Sequence, residues 1–359
     1  MSIAIYTNII SPHMLPLTEA YRKIYPEEEI SYVYTENLPP DATKRGWEWK
    51  ESRSWIISLQ SDKTKAYSII TNTEVLLSGI RDVSIFEKRQ DGGQITLYMS
   101  ERWLKPIKIE FHILNVLSRI ELPGKWRLLL PRYRSMVKRF VRWANTDNKA
   151  KVLAIGKGAI DDFLYLGVNP HKIVNWGYFV ECAKHPSDTL KGTHNPFRIL
   201  WVGRMLHWKR VDTIIRSIKG MDNVVLTLVG QGVERQRLIT LAKGLPVIFK
   251  DGMPISNIRC LMRENDMYVL SSDENEGWGV ALQEALLEGM IGVGTYEAGS
   301  SASILPMECL FHAGDYKALR RLIVKARNNG LPRPSMKAWT LQAAIEKLGE
   351  IRKELSAQS

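Results

Sequence analysis

"MYVLSSDENEGWGVALQEALLEGMIGVGTY", Met267 to Tyr296, reads as one complete unit of an open α/β sheet. The β-rich run "MYVLSS" gives way to an acidic turn with two glycines, a helical pattern follows, and the short apolar run "IGVGTY" closes the unit. Short apolar runs separated by helical patterns are the pattern of parallel strands buried on both faces. Toward the N-terminus, "RILWVG", "VVLTLVG" and "PVIFKDG" repeat it, each followed by helical sequence.

The first half carries a second series. "SIAIYTN" opens as a buried strand with "LPLTEAYRKIY" as the helix after it, and "AYSIIT", "ITLYMS" and "KVLAIG" read as further strand-like runs. The expectation is an α/β protein of two Rossmann-like, doubly wound parallel-sheet domains in tandem. The boundaries are set at 1–181 for the first domain and 197–336 for the second. The polar, proline-bearing segment 182–196 reads as a linker. The tail "SMKAWTLQAAIEKLGEIRKEL" reads as one long amphipathic helix, with the C-terminal helical segment set at 337–359.

A chain of 359 residues suits two such domains, and 45% hydrophobic content excludes a mainly disordered state. No apolar run reaches the roughly 18 residues of a membrane span. "MSIAIYTNII" lacks the pattern of a secretory leader, so a cytoplasmic setting is expected. Three scattered cysteines offer neither a disulfide framework nor a zinc pattern. A net charge of +12 points to an anionic partner or to a solubility surplus.

Ligands of open α/β sheets sit at the carboxyl ends of strands. In the second half those ends carry unusual residues. In "WVGRMLHWKR", Gly203 permits a tight turn, and Arg204 and Lys209 suit a diphosphate. In "LVGQGVERQRL", Gly230 lets backbone approach a ligand. In "EGWGVALQEAL", Gly277, Trp278, Gly279 and Val280 form the start of a helix, where free N–H groups favour phosphate. Glu276 in the turn and Glu284 inside the helix are suited to hydroxyls, because a carboxylate accepts without donating. Taken singly, each feature also fits an ordinary basic loop, a tight turn or a solvated helix face.

Quoted in order, "VGRMLHWKRVDTIIRSI", "LVGQGVERQRL", "DGMPISNIRCLMRENDMYVLSS" and "ENEGWGVALQEALLEGM" resemble glycosyltransferase family 4, a family of retaining, nucleotide-sugar-dependent enzymes with the GT-B fold. The resemblance is strong over Phe197 to Ser303, weaker over "KVLAIGKGAIDDFLYLGVNPHKIVNWGYFVE", and mainly architectural in the first 150 residues. It implies two domains facing across a cleft, with the C-terminal helix returning to the first. It also implies that Arg204 and Lys209 bind the donor diphosphate, that the amides of Gly277 to Val280 cap the distal phosphate, and that Glu284 holds the ribose and Glu276 the sugar. Gly252, Met253 and Pro254 would meet the nucleobase of a UDP- or GDP-linked donor. The absence of a D-x-D motif and of any clustered His/Cys set leads to an expectation of metal independence, with no cofactor beyond the donor substrate.

This chain departs from the family in three places. The loop after the first strand, "TNIISPHMLPL", has no glycine and places His13 toward the expected cleft. "ITLYMSERW" has Ser100, Glu101 and Arg102 where many members carry a histidine, so Glu101 becomes a candidate acceptor contact. "EAGSSAS" has Gly299, Ser300 and Ser301 in place of the usual glycine pair and glutamate.

The segment "RIELPGKWRLLLPRYRSMVKRFVRWAN", Arg119 to Asn145, holds eight Lys or Arg against one acid, Glu121. Trp126, Arg127, Arg132, Arg134, Lys138, Arg139, Arg142 and Trp143 are candidates for an anionic membrane surface, set against a domain helix with a solvated basic face. The leading reading is a metal-independent retaining glycosyltransferase acting on a glycan or lipid-linked acceptor of cell-surface polysaccharide or glycolipid synthesis, peripheral at the inner face of the membrane. The rivals are a GT-B sugar-nucleotide epimerase, a non-catalytic nucleotide-binding scaffold, and a basic nucleic-acid-binding protein. The last is disfavoured because the charge concentrates in one amphipathic segment rather than in a recognition motif.

Overall fold

The computed structural model describes residues 2–11, 13–38, 53–113, 116–180 and 194–357. They form two compact units, the first including Met1–Leu38, Glu51–Phe179 and Leu341–Ser359, the second including Val180–Thr340. Of the segment read as a linker, 182–193 lies outside the described residues.

The first unit begins β1 (Ser2–Thr7), α1 (Leu15–Ile24), β2 (Glu29–Tyr34), β3 (Ile56–Ser58), α2 (Lys63–Asn72), β4 (Val75–Ser78), α3 (Val83–Asp91) and β5 (Ile95–Ser100). It continues β6 (Ile107–Ile113), β7 (Val116–Leu122), α4 (Pro131–Thr146), β8 (Ala150–Ile155), α5 (Lys157–Leu166) and β9 (Ile173–Trp176). Its main sheet runs β3-β2-β1-β4-β5-β8-β9, every pair parallel. The central strands are buried along their length, as parallel strands covered by helices on both faces must be. One core gathers Tyr98, Trp103, Phe86, Phe140, Trp143 and Phe163 between the sheet and α3, α4 and α5.

One reading of the first half is corrected. "AYSIIT", read as strand-like, lies in α2, where Ala66 and Ile70 are buried one helical turn apart and Asp62 caps the start through the Lys65 amide. The strand is "VLLS", β4, which follows it. The basic segment from Arg119 opens in β7, paired antiparallel with β6, and passes through a 3-10 turn at Gly124–Leu129 before α4. The alternation "IKIEFHI" was a strand signal that the overlying charge pattern concealed.

The second unit comprises β10 (Phe197–Val202), α6 (Val211–Ser217), β11 (Val224–Val229), α7 (Arg235–Leu241), β12 (Val247–Lys250), α8 (Ile255–Arg263) and β13 (Met267–Leu270). It is completed by α9 (Val280–Leu287), β14 (Ile291–Thr295), α10 (Gly299–Ile304), β15 (Leu310–Phe311) and α11 (Tyr316–Arg327). The sheet is parallel in the order β12-β11-β10-β13-β14-β15. β10 lies between β11 and β13, so successive crossovers leave it in opposite directions, which opens a crevice at its carboxyl end.

The tail is a 3-10 turn at Lys337–Trp339 followed by α12 (Leu341–Ser356). Ala344, Ile345, Leu348, Ile351 and Leu355 form the buried stripe of α12, which packs on α1 and β5 of the first unit. The Arg352 guanidinium pairs with Glu28 at 3.1 Å, and Lys151 pairs with Glu354 at 2.7 Å.

Candidate active site

The loop after β10 and the loop after β13 flank the switch point and are tied together. Gly203 N–H donates to Val229 O, and Met205 N–H to Gln231 O, holding the first loop to the end of β11. Gly230 lies under that contact: a Cβ there would sit 2.0 Å from the Gly203 carbonyl oxygen, so only glycine fits. Asp273 N–H donates to Trp208 O at 2.8 Å, and the Ser271 hydroxyl donates to Lys209 O at 2.7 Å.

Within this frame Lys209 Nζ lies 2.5 Å from Glu276 Oε2, and Ser272 Oγ donates to the same oxygen at 2.7 Å. Glu276 is 9% exposed, so its carboxylate is buried together with both partners. Arg204 is exposed on the same loop and has no partner among the described residues. The three residues expected at the diphosphate and sugar thus occupy the two loops of one crevice: Lys209 and Glu276 in contact, Arg204 open to solvent.

Gly279 ends the turn with φ +83° and caps α9, a conformation that L side chains rarely adopt. The amides of Gly279, Val280 and Ala281 donate to no acceptor among the described residues, so the helix start presents free N–H groups. Its other side is braced by α10. Gly299 N–H donates to Gly277 O, Ser300 N–H to Trp278 O, and Ser300 Oγ to Gly279 O. The departure at Gly299 and Ser300 therefore places backbone and a hydroxyl against the turn.

Glu284 sits in α9, is 9% exposed, and its carboxylate has no hydrogen-bond partner among the described residues. Burial pushes its pKa up to about 7, with Arg259 opposing and Glu288 adding to the rise. Glu288, by contrast, is paired at 2.7 Å with Arg263. A buried acceptor left open is what a hydroxyl-bearing ligand satisfies.

The Trp278 indole belongs to the core. It is 1% exposed, donates to Gln283 Oε1 at 2.9 Å and packs on Trp339, so only its backbone faces the crevice. Gln283 in turn donates to Trp339 O, a buried link that its position in a helical pattern did not announce. Gly252, Met253 and Pro254 form the loop at the carboxyl end of β12, with Gly252 and Pro254 exposed.

In the first unit, His13 and Glu101 lie beyond the carboxyl ends of β1 and β5 and share Tyr178. The His13 and Tyr178 rings are 5.3 Å apart, Tyr178 Oη donates to Glu101 Oε1 at 3.3 Å, and Lys105 Nζ lies 2.9 Å from Glu101 Oε2. Burial pushes the His13 pKa down to about 4 against the pull of Glu101, which keeps the ring neutral. Tyr178 escaped the sequence reading because contact across 77 residues leaves no local signal, whereas Lys105 lies four residues from Glu101 and was a pairing the sequence could have shown.

The membrane-surface set divides. Trp126, Arg132, Arg134, Lys138 and Arg142 are exposed, and Arg127 is half-buried. Arg139 is exposed but grips Glu87 through two nitrogens. Trp143 is corrected: it is 1% exposed, packs on Phe86 and Phe140, and donates to Asp147 Oδ2 at 3.1 Å. With Val137, Phe140 and Ala144 it forms the inward face of α4, so the apolar stripe serves the domain core.

Residues 188–343 match the family model described as "Glycosyl transferases group 1". No individually curated protein sequence matches the chain. Among solved structures, the lipopolysaccharide outer core galactosyltransferase WaaB is similar, with a TM-score of 0.65 at 12% identity, covering 98% of this chain and 99% of that one. HepE of Anabaena, in complex with UDP and glucose, has a TM-score of 0.62 at 14% identity and covers 98% of each chain. Sucrose-phosphate synthase of Thermosynechococcus elongatus has a TM-score of 0.63 at 16% identity and covers 100% of both. At these identities the likeness establishes the fold: the two parallel-sheet units are those of GT-B glycosyltransferase structures.

Proposed function

We propose that this chain, whose residues 188–343 carry a group 1 glycosyl transferase domain, moves a sugar from a nucleotide-sugar donor to a glycan or lipid-linked acceptor, with retention at the anomeric carbon and without a metal ion. One observation carries the reading: Glu284, a buried carboxylate with no hydrogen-bond partner among the described residues, follows helix-start amides left open among those residues and a Glu276–Lys209 pair at the switch point of a parallel sheet. The amides suit a phosphate, and the two carboxylates suit hydroxyls on either side of it. The UDP, UDP-glucose and UDP with glucose found in HepE support a nucleoside diphosphate sugar as the donor class.

Lys209 has two roles in this scheme. Without donor it neutralises Glu276; with donor it turns to the diphosphate and frees Glu276 for a sugar hydroxyl. As the glycosidic C–O bond breaks, its electron pair passes to the distal phosphate oxygen, where Arg204, Lys209 and the α9 amides stabilise the growing charge. The acceptor oxygen then bonds the anomeric carbon from the same face, and its proton passes to the departing diphosphate. Unit 1 offers His13, neutral and therefore able both to donate and to accept, and Glu101 to a hydroxylated acceptor. No helix among the described residues is long and apolar enough to cross a membrane. The exposed cations of α4 support a peripheral place on an anionic inner membrane surface.

The test is thermal melting with UDP, GDP, ADP and their sugar conjugates in the presence of a chelator. A native-state ligand at a hundredfold excess over its dissociation constant adds about 2.7 kcal/mol of stability. One nucleotide is expected to raise the midpoint, and the rise is expected to vanish in Glu284→Ala. No shift with any of them at millimolar concentration would overturn the reading.

A further inference from the structure

Between the start of α3 and the outer face of α4 lies an open groove of about 440 Å³, lined by Arg81, Ser84, Arg132, Ser135, Met136 and Arg139 among others. None of the catalytic scheme uses it. Two of its three arginines are held in place. The exposed Arg81 guanidinium lies over the Trp103 ring, 3.8 Å from the centroid, and its Nη1 donates to Met136 Sδ at 3.7 Å, which fixes its plane. Arg139 is gripped by Glu87 through two nitrogens. Arg132 is exposed with no partner among the described residues.

One acid, Asp82, lines the groove, and Glu87 lies beside it. Asp82 caps α3, accepting from the Ser84 and Ile85 amides at 3.1 and 3.3 Å, and Glu87 is taken by Arg139. α4 itself carries no Asp or Glu. Three arginines thus outnumber Asp82 and the paired Glu87, so the groove keeps a cationic excess, with two serine hydroxyls, Ser84 and Ser135, in its lining. At the end of the groove marked by Arg132 the chain runs back into the 3-10 turn, where Trp126 is 50% exposed, Leu129 75% and Leu130 59%. Fixed guanidinium edges beside a projecting apolar tip match one chemistry: a phosphate headgroup attached to a lipid, with the tip entering the acyl boundary.

We propose that the Arg81–Arg132–Arg139 groove is a headgroup site that grips the phosphate of an anionic glycerophospholipid, with Trp126, Leu129 and Leu130 as the membrane-entering tip. This rests on the membrane-surface reading above and goes beyond it, because it places recognition in a defined groove rather than in the net charge of α4.

The test is co-sedimentation with vesicles of phosphatidylcholine, with and without phosphatidylglycerol, using wild type and the charge-conserving double variant Arg81→Lys/Arg132→Lys. Lysine keeps the charge and loses the planar fork. The double variant is expected to bind anionic vesicles about tenfold more weakly, the loss of roughly one bidentate contact, with its melting and nucleotide response unchanged. Arg132→Lys alone, at an exposed position without partners among the described residues, decides the matter if the double variant does not fold. Wild-type binding that the lysine variants leave intact would mean that charge alone attracts the membrane; the groove assignment falls and the membrane reading stands. Wild type that ignores anionic vesicles overturns both. Wild type that binds glycerol phosphate in solution but no vesicles overturns the lipid as its source.

Discussion

Burial holds the Glu284 carboxyl at about 7, above its ordinary 4.5, so ionising it in the folded, ligand-free protein costs free energy. A raised folded pKa gives stability that is fully present below the unfolded value and is lost as pH rises through the folded one. This group therefore favours the fold most below pH 4.5 and least above pH 7, a swing of the order of 3 kcal/mol. Glu284→Gln is expected to raise the ligand-free melting temperature at pH 8 and leave it unchanged near pH 5, while weakening nucleotide binding at both. Equal melting of the two proteins at pH 8 would show that the carboxylate is not strained by burial. Glu276 behaves differently, because Lys209 and Ser272 already satisfy it. Glu276→Gln is expected to leave UDP binding within about twofold and to lower kcat by about a hundredfold or more, as for a group acting on the transition state. A proportional rise in KM at constant kcat would instead mark Glu276 as a ground-state contact.

At the scale of the element, the turn that starts α9 depends on a glycine in the left-handed region. Gly279→Ala imposes φ +83° on an L residue and sets its Cβ 2.7 Å from Leu270 Cδ2. The expected cost is about 1–3 kcal/mol, read from chemical denaturation, together with weaker nucleotide binding as the amides shift. An unperturbed Gly279→Ala protein would place the phosphate site elsewhere. α4 shows how one helix can mislead a sequence reading. Its apolar positions have the spacing of a membrane-lying helix, yet Val137, Phe140, Trp143 and Ala144 are consumed by the domain core, and the apolar residues that remain exposed are in the turn before it.

For the whole molecule, α12 is separated in sequence from the unit it completes. Its buried stripe packs on α1 and β5, and Arg352 pairs with Glu28. A chain ending at Thr340 is expected to lose amide protection in β1, β4 and β5 while β10, β11 and β13 keep theirs, as measured by hydrogen exchange. Uniform protection would show that the first unit is stable without the helix. That truncation removes the buried stripe of α12 and uncovers the apolar faces of α1 and β5 on which it packs, which is enough to unbalance a domain of marginal stability.

Local pattern alone determined the two parallel-sheet domains, because buried parallel strands and their crossover helices are written in consecutive residues: "MYVLSS", "IGVGTY" and the helix between them needed no distant partner to be read. The glycines and carboxylates of the strand ends were legible for the same reason. What only the tertiary structure decided are the pairings across distance and the direction each helix faces. Glu276 meets Lys209 across 67 residues, Tyr178 reaches Glu101 across 77, and Trp143 turns inward while Trp126 turns out. Helical periodicity fixes which residues share a face but not what covers that face. Burial, pairing and the high pKa of Glu284 belong to the packed molecule, where desolvation and neighbouring charge act through space rather than along the chain.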